Sequence, residues 1–262
     1  MLVLANKNDQ NRILQYLNNN HLINIFIIGD ILNYGFDQSF QKVYYEVKDD
    51  NICAVGLVFY QNFIVYSNED YDYEAMYQCY LSNGCQLLMG NEFSVSCLLD
   101  HFDTGKYFIK RQTFSVLVTK QRLHFDPTVK IAHCDDVDDI IASHKSIEEF
   151  KDLYNDKLKE LIVNRITSKE GKHYIIKKDN MVIAHANTAA CTTNSCIVGG
   201  VFTMPSYRNN GYASTVLESL CSDMIDSGIT PCLFYDNKKA ESIYLKLGFK
   251  PMDNWLIIGE KR

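Results

Sequence analysis

Several signatures that assign a chain to a functional class are missing here. The nine cysteines are dispersed, odd in number and contain no Cys-x-x-Cys pair. That excludes a disulfide scaffold and a zinc ribbon, and points to reduced thiols in a cytoplasmic protein. Lysine and arginine are scattered, with no basic run of five or more, and the net charge is −6. A broad nucleic-acid surface needs a basic excess, so nucleic acid is not an expected partner. No apolar run reaches the ~18 residues of a membrane span, and the chain turns polar by Asn6 without a signal pattern. No membrane partner is expected. His133, His144 and His173 show no metal-ligand spacing, so no metal is expected either.

What is present is ordinary globular material: 262 residues, 47% hydrophobic and 22% charged. One large domain or two smaller ones would fit that length. The C-terminal part reads element by element. A short strand at Thr128–Ala132 precedes an acidic helix start at Asp135, Asp136, Asp138 and Asp139. A polar helical stretch covers roughly Ile147–Thr167. Two strand runs, Lys172–Lys177 and Met181–Ala189, flank the turn Lys178-Asp179-Asn180. Cys196–Thr203 is the next strand. After Gly211, the residues Ala213, Val216, Leu217, Leu220 and Met224 recur at helical period, and Gly228 and Pro231 end that helix. Pro231–Tyr235 is a buried-type strand, Asn237–Leu247 a helix stopped by Gly248, and Trp255–Gly259 a last strand.

The N-terminal part repeats this reading. Lys42–Ala54 lies on Lys172–Ala184 at a constant offset of 130, matching Lys42/Lys172, Tyr44/Tyr174, Lys48/Lys178, Asp49/Asp179 and Ala54/Ala184. A helix at Asp9–Leu17 precedes that hairpin and a strand at Asn62–Tyr66 follows it. The expected division is 1–125 and 126–262, at Phe125-Asp126-Pro127.

One segment carries chemistry. Val201, Phe202 and Thr203 end an apolar strand. A short turn through Arg208, Asn209, Asn210 and Gly211 leads into a helix beginning Tyr212, Ala213, Ser214. A strand that passes through such a turn into a helix aims unpaired N–H groups at one point. The helix dipole adds positive charge there, which suits a phosphate or diphosphate. The segment is not a Walker A loop, lacking Gly-Lys-Ser/Thr, nor a dinucleotide fingerprint, having a single glycine. The first half has Glu69, Asp70, Asp72 and Glu74 after its third strand. Those carboxylates repel a phosphate, so the first half should not hold a phosphorylated ligand.

A second segment, Asp236-Asn237-Lys238-Lys239-Ala240-Glu241-Ser242-Ile243-Tyr244-Leu245-Lys246-Leu247-Gly248-Phe249, lies one strand downstream. Together the two resemble motifs A and B of the Gcn5-related N-acetyltransferase (GNAT) family, over roughly Thr128–Ile258. The resemblance implies an α/β (α+β) fold, a mixed twisted sheet flanked by helices, in tandem with a degenerate N-terminal copy. It also implies acetyl-CoA as donor, its diphosphate held by Arg208 through Ala213, with the Ser214 hydroxyl nearby. Backbone groups of Val201, Phe202 and Thr203 would face the pantetheine arm and polarise the thioester carbonyl. A donor aimed at developing negative charge is worth about 3–4 kcal/mol of barrier. Asn237 falls where relatives touch the cofactor arm, and Tyr244 matches the tyrosine that protonates the departing thiolate. A phenol near pKa 10 suits that role. Core packing is the alternative for Tyr244, because Ala240, Ile243, Tyr244 and Leu247 make one apolar face.

No general base is assigned. Cys196–Thr203 contains no Asp, Glu or His, and His185, Glu148 and Glu149 are the nearest candidates. The expected function is N-acetyl transfer from acetyl-CoA to a small-molecule or peptide amine in a ternary complex. The alternatives are a CoA-binding module without catalysis and an acyltransferase for longer acyl-CoA.

Overall fold

Residues 1–119, 121–148 and 156–261 are described in the computed structural model of the chain. By their contacts they form two units: Met1–Phe114 with Pro251–Arg262, and Ser115–Lys250. The first unit begins with β1 (Leu2–Leu4), α1 (Gln10–Asn18) and α2 (Ile25–Tyr34). Three strands follow: β2 (Gln41–Lys48), β3 (Asn51–Phe59) and β4 (Asn62–Ser67). Then come α3 (Tyr73–Ser82), β5 (Leu87–Asn91), α4 (Glu92–Ser96) and β6 (Tyr107–Leu117). The rest of the chain repeats that order. It runs β7 (Lys130–Ile131), α5 (Val137–Lys145), α6 (Asp156–Ser168), β8 (His173–Lys178), β9 (Met181–Cys191) and β10 (Ser195–Thr203). It closes with α7 (Tyr212–Asp226), β11 (Thr230–Tyr235), α8 (Lys238–Leu247) and β12 (Phe249–Glu260).

The repetition reaches below the level of elements. Asp49 and Asp50 take φ of +48° and +65°; Asp179 and Asn180, at the equivalent turn, take +48° and +60°. Two successive left-handed residues make the tight turn whose twist suits a hairpin, and Asp and Asn tolerate that region best after glycine. Each ladder then slips by one residue, between Glu46 and Val47 in one hairpin and between Ile176 and Lys177 in the other. The same bulge at the same offset marks two copies of one design.

In each unit an antiparallel meander is extended by a parallel pair, β4 with β5 and β10 with β11. The strand orders are β1-β2-β3-β4-β5-β12 and β7-β8-β9-β10-β11. Helices lie against these mixed sheets, which is the α/β class expected. Val216, Leu217, Leu220, Cys221 and Met224 of α7 are buried with Tyr174, Ala184 and Val198 of the sheet. Each fully buried aliphatic side chain contributes roughly 1.5–3 kcal/mol, enough to hold the start of α7 at the end of β10.

The last strand departs from the division at residue 125. Its residues Trp255–Gly259 pair antiparallel with Asn91–Leu87 of β5, and Leu256 and Ile258 lie in the first unit's core. Phe249, at its start, lies in the second unit's core. Residues 115–125 group with the second unit and Pro251–Arg262 with the first. Apolar alternation fixes that a strand is half-buried, not which sheet receives it. No helix among the described residues is long and apolar enough to cross a membrane.

Candidate active site

β10 and β11 pair at Ser195↔Thr230, Cys196↔Pro231 and Ile197↔Cys232, and the register ends there although both strands continue. The last residues of β10, including Val201, Phe202 and Thr203, are therefore not taken up by β11. On the other side β10 stays with β9 as far as Thr203↔Ala184, with a break between Gly199 and Phe202. Gly200 sits in that break at φ +57°, and a Cβ there would stand 2.3 Å from Asn187 Oδ1. A side chain at this φ would be strained and would displace Asn187 and crowd the His185 ring, which favours glycine in this bulge.

A chain of histidines holds the bulge from behind. His185 Nδ1 lies 2.7 Å from Gly200 O, and His185 Nε2 lies 2.9 Å from His173 Nδ1. A carbonyl only accepts, so His185 carries its proton on Nδ1 and donates it to Gly200. Its Nε2 lone pair then accepts from His173 Nδ1–H. His185 stacks on Phe202 at 5.2 Å, and His144 meets both rings edge-on. Burial pushes His144 and His173 down to about 4, and burial with its histidine neighbours holds His185 well below the ordinary range. All three rings are neutral at pH 7.

The turn after β10 is fastened to the strand by its own side chains. Met204 N donates to Ile183 O at 2.8 Å, and residues Pro205–Tyr207 form one tight turn. Arg208 Nε donates to Thr203 O at 3.2 Å. Asn209 takes φ +65°, and Asn210 Nδ2 donates to Tyr207 O and Arg208 O at 3.1 and 3.0 Å. Gly211 is the N-cap of α7 at φ +80°, without a side-chain cap, and a Cβ there would meet nothing within 4 Å. The N–H groups of Tyr212, Ala213 and Ser214 in the first turn of α7 have no partner inside the helix. At the end of β10 the Thr203 hydroxyl is buried without a hydrogen-bond partner. An open glycine, an uncapped helix start and an orphaned hydroxyl are what a bound diphosphate and its arm would satisfy.

Lys178 was not legible as part of this corner. It sits at the β8–β9 turn, bonded to the Tyr212 hydroxyl, with its ammonium 4.8 Å from the Tyr212 ring and 5.9 Å from that of Tyr207. The Tyr212 hydroxyl holds its pKa above the usual lysine value. The hairpin repeat places Lys178 at the turn, but only the fold brings that turn to the start of α7.

Tyr244 is buried on α8 with its ring 5.4 Å from Tyr235 and 6.0 Å from Phe249. Burial, then Tyr235, pushes its phenol up to about 12, so it carries its proton at neutral pH. Asn237 is the N-cap of α8, its Oδ1 accepting from Lys239 N at 2.9 Å. That leaves its amide Nδ2 as the group for other contacts. Of the base candidates, His185 has both ring nitrogens engaged. Glu148 is exposed three residues beyond α5, and Glu149 lies outside the described residues.

The equivalent corner of the first unit is closed by its own groups. β4 and β5 pair as far as Val65↔Gly90. Beyond it Ser67 N donates to Ser94 Oγ at 2.6 Å, and Asn91 Nδ2 donates to Ser67 O at 3.3 Å. Asp72 caps α3, accepting from Ala75 N at 2.9 Å. Side chains already occupy that strand end.

Among the described residues no group of three His, Cys, Asp or Glu side chains is placed to hold a metal. No curated protein matches the chain. Among solved structures, it is similar to a Drosophila protein (10% identity, 99% of this chain and 98% of that one, TM-score 0.69). It is also similar to a GNAT-family acetyltransferase from Colwellia psychrerythraea (13% identity, 100% of both chains, TM-score 0.62). A tandem GNAT protein from the clavulanic acid biosynthesis pathway aligns at 10% identity over 99% of this chain and 98% of its own (TM-score 0.59). At such identities these likenesses speak to the fold. The family model for GNAT acetyltransferases matches residues 31–258, and the chain belongs to that family.

Proposed function

We propose that the second unit transfers an acetyl group from acetyl-CoA to an amine by direct attack in a ternary complex. The corner between β10 and α7 carries this reading: an uncapped helix start and an open left-handed glycine beside a strand end that β11 leaves unpaired. Acetyl-CoA supplies an activated acyl group on a thiol that leaves well once protonated. Arg208 through Ala213 bind the diphosphate, chiefly by main-chain N–H groups, and Ser214 adds its hydroxyl. Val201, Phe202 and Thr203 orient the pantetheine arm, and an N–H of this strand end polarises the thioester carbonyl. The Asn237 amide contacts the arm. Tyr244 donates its proton to the departing sulfur, and a group of its kind contributes about 10²–10⁴-fold. The acceptor is a small-molecule or peptide amine, and the acidic net charge favours a cationic one.

One observation favours a second reading, a CoA-binding module without catalysis: His185, the strand histidine nearest the bulge, has no free lone pair. Calorimetry with acetyl-CoA tests binding, and thiol release with a panel of amines tests transfer. Binding with thiol release supports the acetyltransferase. Binding without it across the panel leaves the module, and no binding removes both.

A further inference from the structure

Past the histidine chain, β9 and β10 are joined by a turn that places two thiols opposite each other, Cys191 six residues beyond His185. Thr192 N donates to Ser195 O at 2.8 Å, which makes Thr192 and Ser195 the hydrogen-bonded pair that closes the turn. The next pair outward is Cys191↔Cys196. In an antiparallel ladder the pair beside a hydrogen-bonded one is non-hydrogen-bonded, with Cα atoms about 4.5 Å apart and side chains on one face at their closest. That separation falls within the ~4.4–6.8 Å a disulfide spans. Both thiols are free.

Their surroundings differ in a way that suits an attacking and a resolving sulfur. Cys191 is half-buried, whereas Cys196 is fully buried. Its Cys196 neighbour, Thr188, and the Arg165 and Lys172 cations hold the Cys191 thiol below the ordinary range, against burial. Arg165 is fixed in place, donating to Thr188 O at 2.9 Å. The same pairing, with burial, raises Cys196. No other thiol has this combination. Cys97 and Cys134 are exposed without a cross-strand thiol partner, and burial raises Cys53, Cys79, Cys85, Cys221 and Cys232.

We propose that Cys191 and Cys196 form a redox-active dithiol that closes to a cross-strand disulfide on reaction with a hydroperoxide. The Cys191 thiolate attacks the peroxide oxygen, the O–O bond breaks, and an alcohol or water leaves with one proton. The resulting sulfenic acid is attacked by Cys196, whose proton leaves with the hydroxyl as water. Two thiols lose two electrons in all, and the peroxide gains them. The bridge pins the turn end of β10, the strand whose other end bounds the proposed cofactor corner.

Sequence makes the test clean. No Lys or Arg lies between Asp179 and Arg208, so one tryptic peptide, residues 179–208, carries both thiols and no other cysteine. The reduced full-length protein is titrated with hydrogen peroxide, alkylated and digested without reductant. The 179–208 peptide should lose two hydrogens and both alkylation sites at peroxide levels that leave Cys97 and Cys134 alkylated, and dithiothreitol should restore it. The Cys196→Ser variant should retain a Cys191 sulfenic acid that dimedone traps. Earlier oxidation of Cys97 or Cys134, a link from Cys196 to Cys232, or a Cys79–Cys85 link ahead of this one would overturn the proposal. A Cys191 in the Cys196→Ser variant that resists dimedone would do the same.

Discussion

Gly211 and Tyr244 test the proposed chemistry at the residue scale. At Gly211 the backbone is left-handed and the space beyond it empty. An alanine there meets no atom and costs only the strain of a Cβ at positive φ, about 1–2 kcal/mol. A glutamate puts a carboxylate where the diphosphate is proposed to sit. Gly211→Glu should abolish acetyl-CoA binding in calorimetry while Gly211→Ala keeps most of it; equal affinities for Gly211→Glu and the parent chain would remove the anion corner. Tyr244→Phe keeps the ring contacts with Tyr235 and Phe249. As proton donor, Tyr244 predicts a fall in turnover of about 10²-fold or more with cofactor affinity retained. An unaltered rate assigns the residue to packing. Local motifs made these residues legible, because a glycine before a helix and a tyrosine on an amphipathic face are read within a few positions. Asn237 was legible as a position but not as a cap, since capping depends on where α8 starts. Lys178 was invisible at this range, 34 residues from the tyrosine it touches.

At the element scale the histidine chain ties three strands together, and it carries a pH signature. His144 and His173 lie near 4 in the folded protein against about 6.5 unfolded, and burial holds His185 well below the ordinary histidine range as well. Between those values the unfolded chain binds protons that the folded rings refuse. Their stabilising contribution is therefore complete above about 6.5 and is lost as the pH falls toward 4, by up to ~1.4 kcal/mol per ring and pH unit. Asp30 works the other way, since burial raises its carboxyl to about 7 and the folded state takes its proton first. The difference between variants isolates the rings. His173→Gln keeps a donor for His185 and removes one titration, so calorimetric melting temperature should fall less steeply from pH 6.5 to 4 than in the parent chain. An identical slope would mean that His173 is not buried in its neutral form. The strands themselves were legible, as was the hairpin repeat, because the Lys-Asp-Asp and Lys-Asp-Asn turns state their left-handed residues openly. α2 was not. Its Ile25, Ile27, Ile28 and Ile31 are all buried, and the short apolar run Ile25–Ile28 is as compatible with a buried strand as with a helix.

For the whole molecule, the sequence gives each half the same ordered set of elements but does not say which sheet takes the last one. Trp255, Leu256 and Ile258 are buried, as a closing strand in either unit would be. The partner is decided by β5, whose residues Leu87–Asn91 pair with Trp255–Gly259. A chain that returns to its first unit at Pro251 makes that unit depend on residues more than 130 positions beyond its other part. Leu256→Ala, which removes a fully buried side chain, should destabilise the first unit by about 2–5 kcal/mol. Hydrogen exchange locates the loss. Amides of β3, β4 and β5 should exchange faster in the variant, while those of β9 and β10 keep their protection and acetyl-CoA affinity is unchanged. Faster exchange in β9 and β10 with β5 unaffected would instead assign the strand to the second core and restore the division at residue 125. Trp255 is the only tryptophan in the chain and lies on this strand, so its fluorescence transition should shift with the first unit's amides and not with the second's.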